Sequence, residues 1–160
     1  AGAGGAPSRR GLDHGAWAAL KLIYPAADVP VCQLCVDYPA PGPAHYELGR
    51  RLAPLRDEGV LIVGSGNIVH NLGLMDPDME AATEPWAEAF DLKIKEHIDS
   101  GRRAALAKPD SLPAWNLAAP TPDHYWPFLT ALGAGGADRA SYPYEGFHHG
   151  TLSMRAVLFG

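Results

Sequence analysis

The chain has 160 residues, 47% of them apolar, and a formal net charge of -5. That is enough for one domain with a real core, and the acidic balance argues against a broad nucleic-acid footprint. No run approaches the ~20 apolar residues that cross a bilayer, so neither a nucleic acid nor a membrane is expected as a partner.

Residues 1–10 are small and glycine-rich and read as a flexible lead-in. They lack the apolar centre of a signal peptide, and a cytoplasmic location is expected. Asp13 is placed to cap a helix that runs through Tyr24 and stops at Pro25. Val29 to Val36 follows as a strand with apolar residues on both faces, the pattern of a strand buried between helix layers. Within it Cys32 and Cys35 form Cys-x-x-Cys. A redox pair favours a helix start, and a zinc site needs more ligands than one pair supplies. Buried free thiols in a reducing compartment are the expectation.

After a proline-rich turn, Ala44 to Glu58 has Ala44, Leu48, Leu52 and Leu55 at helical spacing, and Gly59 can end that helix. Val60 to Gly64 is the next strand. The order strand, helix, strand with short joints implies a parallel crossover and hence an α/β fold. Pro85 suits a first helical turn, and Trp86, Phe90, Ile94 and Ile98 form a stripe to about Ser100. Residues 101–120 read as irregular. Thr121-Pro122 begins a helix that ends at Gly133, with Pro127 predicting a kink or a broken first turn. Thr151 to Phe159 alternates as a final strand. No internal repeat or second domain is evident. About three strands is few for such a sheet, and no strand precedes the first helix.

Three histidines occupy turn or helix-start settings. His70 closes the segment Gly64-Ser65-Gly66-Asn67-Ile68-Val69-His70, just beyond the carboxyl end of the strand at residues 60–64, where α/β sheets place ligand sites. An imidazole there can bind a metal or move a proton. The alternative is a buried histidine bonded to backbone. Asn67 and Asn71 flank His70 and could fix its tautomer or bind substrate. His14 and His124 each follow an aspartate at a helix start, where the backbone dipole favours the neutral ring. Neutral rings can ligate metal or shuttle protons; capping or surface roles stay open. Asp123 could orient His124. His45 and His97 read as solvated. His148 and His149 are adjacent on an extended segment, so at most one can face a site. Trp17, Trp115, Tyr125 and Phe147 could line an aromatic pocket, with core packing as the other reading.

Four motifs then carry a resemblance: Gly11-Leu12-Asp13-His14-Gly15-Ala16-Trp17, Ser65-Gly66-Asn67-Ile68-Val69-His70-Asn71-Leu72, Thr121-Pro122-Asp123-His124-Tyr125 and Gly150-Thr151-Leu152-Ser153-Met154. In this order they resemble the class III extradiol ring-cleavage dioxygenases, specifically the 4,5-DOPA dioxygenase subfamily, over residues 11–160. The resemblance implies an α/β domain with a central, mostly parallel or mixed sheet and helices on both faces. It implies one divalent metal ion, Fe(II) or Zn(II), and opening of a small aromatic diol by O2. Carried over by motif, His124 matches a metal ligand. His70 matches a histidine at the metal that acts as ligand or as acid/base. His14 matches a further active-site histidine, and Asn67, Asn71, Trp17 and Tyr125 are candidate substrate contacts. Family members carry two more metal-binding histidines, one in His-Gly-Ser-Pro and one before a tryptophan, and neither motif is present here. The expectation is a partial catalytic domain lacking its N-terminal strands, completed by a missing N-terminal segment or another chain. A zinc hydrolase on the same histidines, or a non-catalytic remnant, are the alternatives.

Overall fold

A computed structural model describes residues 11–160, and the lead-in at 1–10 lies outside the described residues. The chain divides into two units, 1–35 and 36–160.

In the first unit, helix α1 spans His14–Ile23, and the Asp13 carboxylate accepts the Ala16 N–H at 3.0 Å as its cap. Gln33 pins the same aspartate, accepting the Asp13 N–H at 3.1 Å and donating to its other carboxylate oxygen. The strand expected at 29–36 does not form a ladder. The segment has no assigned regular structure, and Val29, Val31 and Leu34 are exposed. Cys32 and Cys35 are free and exposed, not buried. An apolar run becomes a strand only where a partner strand supplies its hydrogen bonds, and none does among the described residues.

The second unit is built around two packed helices, α2 at Gly42–Leu52 and α5 at Trp126–Ala134. Their axes approach closely because Gly49 faces the Thr130 carbonyl and Gly133 faces the Tyr46 carbonyl; a Cβ at either glycine would collide with that oxygen. Gly133 therefore serves as a contact inside α5 and does not end it. The same approach turns the buried face of α2 to Gly42, His45 and Gly49 instead of the leucines. His45 is buried, stacks on Trp126 at 5.2 Å, and pairs its Nε2 with the Asp37 carbonyl at 3.1 Å. It is not the solvated residue expected. α2 gives way to a 3-10 helix at Ala53–Glu58, since Pro54 has no N–H to continue the α ladder. Gly59 ends this segment with φ at 84°.

Helix α3, Pro85–Asp99, follows its predicted span, with Phe90, Ile94 and Ile98 buried. His97 is buried on its flank, its Nδ1 against the Lys93 carbonyl at 2.8 Å. A short α4, Trp115–Ala118, interrupts the region read as irregular. The expected break near Pro127 is present as a 3-10 turn at Pro122–His124 ahead of α5. Thr121 does not cap that turn.

Among the described residues the strands lie in the C-terminal region. β1 (Ala140–Tyr144) pairs antiparallel with β4 (Ala156–Phe159), with an irregularity between Ser141 and Tyr144 where Pro143 cannot donate. β2 (Phe147–His148) and β3 (Leu152–Ser153) form a hairpin, and His70 extends it through an antiparallel bridge to Leu152. The final strand expected at 151–159 is split because the side chain of Arg155, between β3 and β4, turns inward to Asp91. The fold is mixed α/β. The parallel crossover expected from 29–36 and 60–64 is not seen: Val60, Leu61 and Val63 are exposed and unladdered. No helix among the described residues is long and apolar enough to cross a membrane.

Candidate active site

Two of the three singled-out histidines meet in the second unit. The imidazoles of His70 and His124 stack face to face, with centroids 3.6 Å apart and planes 7° from parallel. Backbone geometry brings them there. Gly64 lies against the Pro127 carbonyl and Gly66 against the His124 carbonyl, so tightly that a Cβ at either would collide. The Gly-Ser-Gly-Asn loop can rest on the start of α5 only because those side chains are absent. His70 is then clamped from both sides. Its N–H donates to the Ala118 carbonyl at 2.8 Å, and its strand pairs with Leu152 while the Ser153 N–H donates to the Val69 carbonyl at 3.1 Å.

Strand alternation sorts this segment cleanly. Val69 and Ser153 point into the core and are fully buried, while His70 and Leu152 are half-buried on the opposite face. Burial lowers the His70 pKa, and the neighbouring His124 lowers it further; Asp123 opposes both. Asp123 is itself held below the usual carboxylate range, first by the Thr121 hydroxyl and to a smaller extent by the two histidines. His124 Nε2 stands 3.8 Å from Asp123, too far for a hydrogen bond, and its Nδ1 is buried without a hydrogen-bond partner among the described residues.

The flanking asparagines are engaged by backbone. Asn67 Nδ2 donates to the Ser153 carbonyl at 2.7 Å, and Asn71 Nδ2 to the Leu117 carbonyl at 2.8 Å. Tyr125 is wholly buried, packs on Trp115, Trp126 and Phe128, and gives its hydroxyl to the Leu106 carbonyl at 3.2 Å. Burial raises its pKa. Trp115 belongs to the same core, and Phe147 packs half-buried against it. His14 and Trp17 are exposed on α1 in the first unit.

Behind the site lies a network that sequence reading missed. Asp91 and Arg155 form an ion pair with side chains only 3% and 4% exposed. The Ser153 hydroxyl donates to Asp91 at 2.6 Å, and Arg155 also pairs with Glu145. The signal was present: Asp91 sits on the apolar stripe of α3, four residues after Ala87 and three before Ile94. A carboxylate there requires a buried cation.

Can these residues hold a metal ion? The orphaned Nδ1 suits His124 to a single ligand role. Yet lone pairs lie in the ring planes, and with the rings stacked nearly parallel at a centroid distance of 3.6 Å, an ion in the plane of one ring would lie outside the plane of the other. No group of three His, Cys, Asp or Glu residues is disposed to hold an ion among the described residues. The pair does not by itself make up a coordination set.

The family model described as the catalytic LigB subunit of aromatic ring-opening dioxygenase matches residues 6–160. A 4,5-DOPA dioxygenase extradiol of Beta vulgaris is 42% identical over 153 residues, covering 94% of this chain and 57% of the relative. The protein of the same name in Escherichia coli K12 is 40% identical over 154 residues, with the same coverage. A crystal structure of an uncharacterized protein from Escherichia coli K12 superposes with a TM-score of 0.87 at 39% identity, covering 94% of this chain and 64% of that one. The chain thus spans a little over half the length of the curated relatives it matches.

Proposed function

The chain belongs to the LigB family of aromatic ring-opening dioxygenases, and from that premise we propose that it carries the acid/base half of an extradiol ring-cleavage site acting on a catechol of the DOPA type with O2. The observation that carries this reading is the face-to-face pair of His70 and His124, which glycine-permitted backbone contacts hold together. Family membership favours ring opening over the zinc-hydrolase reading of the same histidines.

In this proposal His70 is the proton-transfer residue. It faces outward from the small sheet, half-buried, with its backbone fixed on both sides. A neutral ring nitrogen there can accept a phenolic proton and return it later in the reaction, help typically worth ~10²–10⁴ in rate. Asp123, kept ionised by the Thr121 hydroxyl, stabilises the positive charge that His70 acquires on accepting that proton.

Metal dependence is part of the proposal, with Fe(II) or Zn(II) as the ion. Its support is the partnerless, buried Nδ1 of His124. The other ligands are proposed to come from outside the described residues, on a further segment or another chain, which would also pair with the unladdered run at 60–64. In the second unit Asn67, Asn71 and Tyr125 are proposed as supports of the substrate pocket; in the first unit His14 and Trp17 keep, as proposals, the proton-handling and substrate-contact roles that their motif implies.

The test is an air-oxidation assay of the protein, together with the segment or partner chain that completes its ligand set, with Fe(II) and a catechol, read as the yellow absorbance of the ring-opened product. Yellow product that depends on Fe(II) and O2 is expected. Hydrolysis of an ester or amide without ring cleavage would sink the reading.

A further inference from the structure

His148 and His70 are both paired with the same residue. His148 is the antiparallel partner of Leu152 in the hairpin, and His70 bridges Leu152 from the other side. Residues directly opposite one another in antiparallel pairs project to the same face. The three side chains therefore form a row across three strands: imidazole, leucine, imidazole. With neighbouring strands ~4.8 Å apart, the two histidine backbones stand roughly 10 Å from each other. All three residues are half-buried, while Val69 and Ser153, on the opposite face, are closed into the core.

The two adjacent histidines of the hairpin have diverged in role. His149 takes a left-handed conformation, φ 55°, and its Nδ1 pairs with the Asp76 carbonyl at 2.9 Å. His148 has no hydrogen bond to its ring among the described residues. Glu145, the nearest carboxylate in sequence, is paired with Arg155. A half-buried imidazole with free hydrogen-bonding capacity therefore shares one face with Leu152 and the proposed proton-transfer residue.

We propose that His148 is a specificity-determining residue that binds the carboxylate on the side chain of a catechol whose hydroxyls lie at His70 and whose ring lies over Leu152. This rests on the ring-opening reading of the site. An aromatic diol has polar groups at one end; an acidic side chain puts an acceptor at the other. The row offers matching partners in that order, and its span suits a ring with a short substituent. A hydrogen bond from imidazole to carboxylate gains from the ligand's charge, so loss of His148 should cost on the order of tenfold in affinity for the acidic ligand.

The experiment is calorimetric titration of the protein, together with the segment or partner chain that completes its ligand set, with two probes, 3,4-dihydroxyphenylpropionate and 4-methylcatechol. Wild type is expected to prefer the carboxylated probe by roughly tenfold. His148→Ala should abolish that preference and leave 4-methylcatechol affinity unchanged, while His149→Ala should keep the preference. A preference that survives in His148→Ala, or is lost equally in His149→Ala, overturns the assignment. Equal weakening of both probes in His148→Ala overturns it too, as a structural effect. If wild type binds neither catechol, the ring-opening reading of the site fails and this assignment fails with it.

Discussion

His70 owes its place to its backbone. His70 is fixed through its N–H to Ala118 and its pairing with Leu152, and an alanine would keep both. His70→Ala is therefore expected to fold normally, with unfolding free energy changed by about 1 kcal/mol or less, while ring opening falls by ~10²–10⁴. Thermal melts and product absorbance on the same preparation check both halves. Parallel losses in stability and activity would make His70 structural. At this scale the motifs were informative because each histidine sits beside the glycine, proline or aspartate that shapes its backbone. What they could not supply was tertiary neighbourhood. His45 and His97 looked solvated on their helices, yet α2 packs His45 onto Trp126 and α3 buries His97. The roles of Asn67 and Asn71 were similarly open until carbonyls from distant segments came within reach of their amides.

Among the elements, the glycine loop before His70 is the most demanding. Gly66→Ala would drive a methyl group into the His124 carbonyl, and backbone cannot yield as a flexible side chain does. A loss of about 1–3 kcal/mol in urea unfolding is expected, together with separation of the two rings and loss of activity; wild-type stability would show that the loop does not rest on α5. The exposed run at 60–64 is the opposite case. Leu61→Lys should change stability by no more than about 0.5 kcal/mol, because Leu61 is 56% exposed. A larger loss would place this side chain in a core. The helices were readable from apolar spacing and capping, as the near-coincidence of α3 with its expected span shows. The strands expected at 29–36 and 60–64 did not form, because those runs encode a preference for extension without naming a partner, whereas the one expected at 151–159 formed in two pieces. The true ladders formed at 140–159, where hairpin turns bring neighbours together.

At the scale of the second unit, the Asp91–Arg155 pair joins α3 to the C-terminal strands, and through Ser153 it backs the strand that carries Leu152 beside His70. Removing one partner leaves the other charge buried. Asp91→Ala is expected to cost about 3–5 kcal/mol by chemical denaturation, and Asp91→Ala combined with Arg155→Met appreciably less. Similar costs for the single and double variants would mean that the charges are not coupled. The family could be read from four short motifs because they encode local backbone shape at the site. The helix–helix approach through Gly49 and Gly133, and the buried ion pair, depend on contacts between segments far apart in the chain. The most direct test of the site is a double-variant cycle on ring opening with Fe(II), O2 and a catechol, comparing His70→Ala, His124→Ala and both together. If the two imidazoles act as one unit, each single variant should lose nearly all yellow product and the double should lose little more. Wild-type rates in either single variant would contradict the assignment of ring opening to this pair.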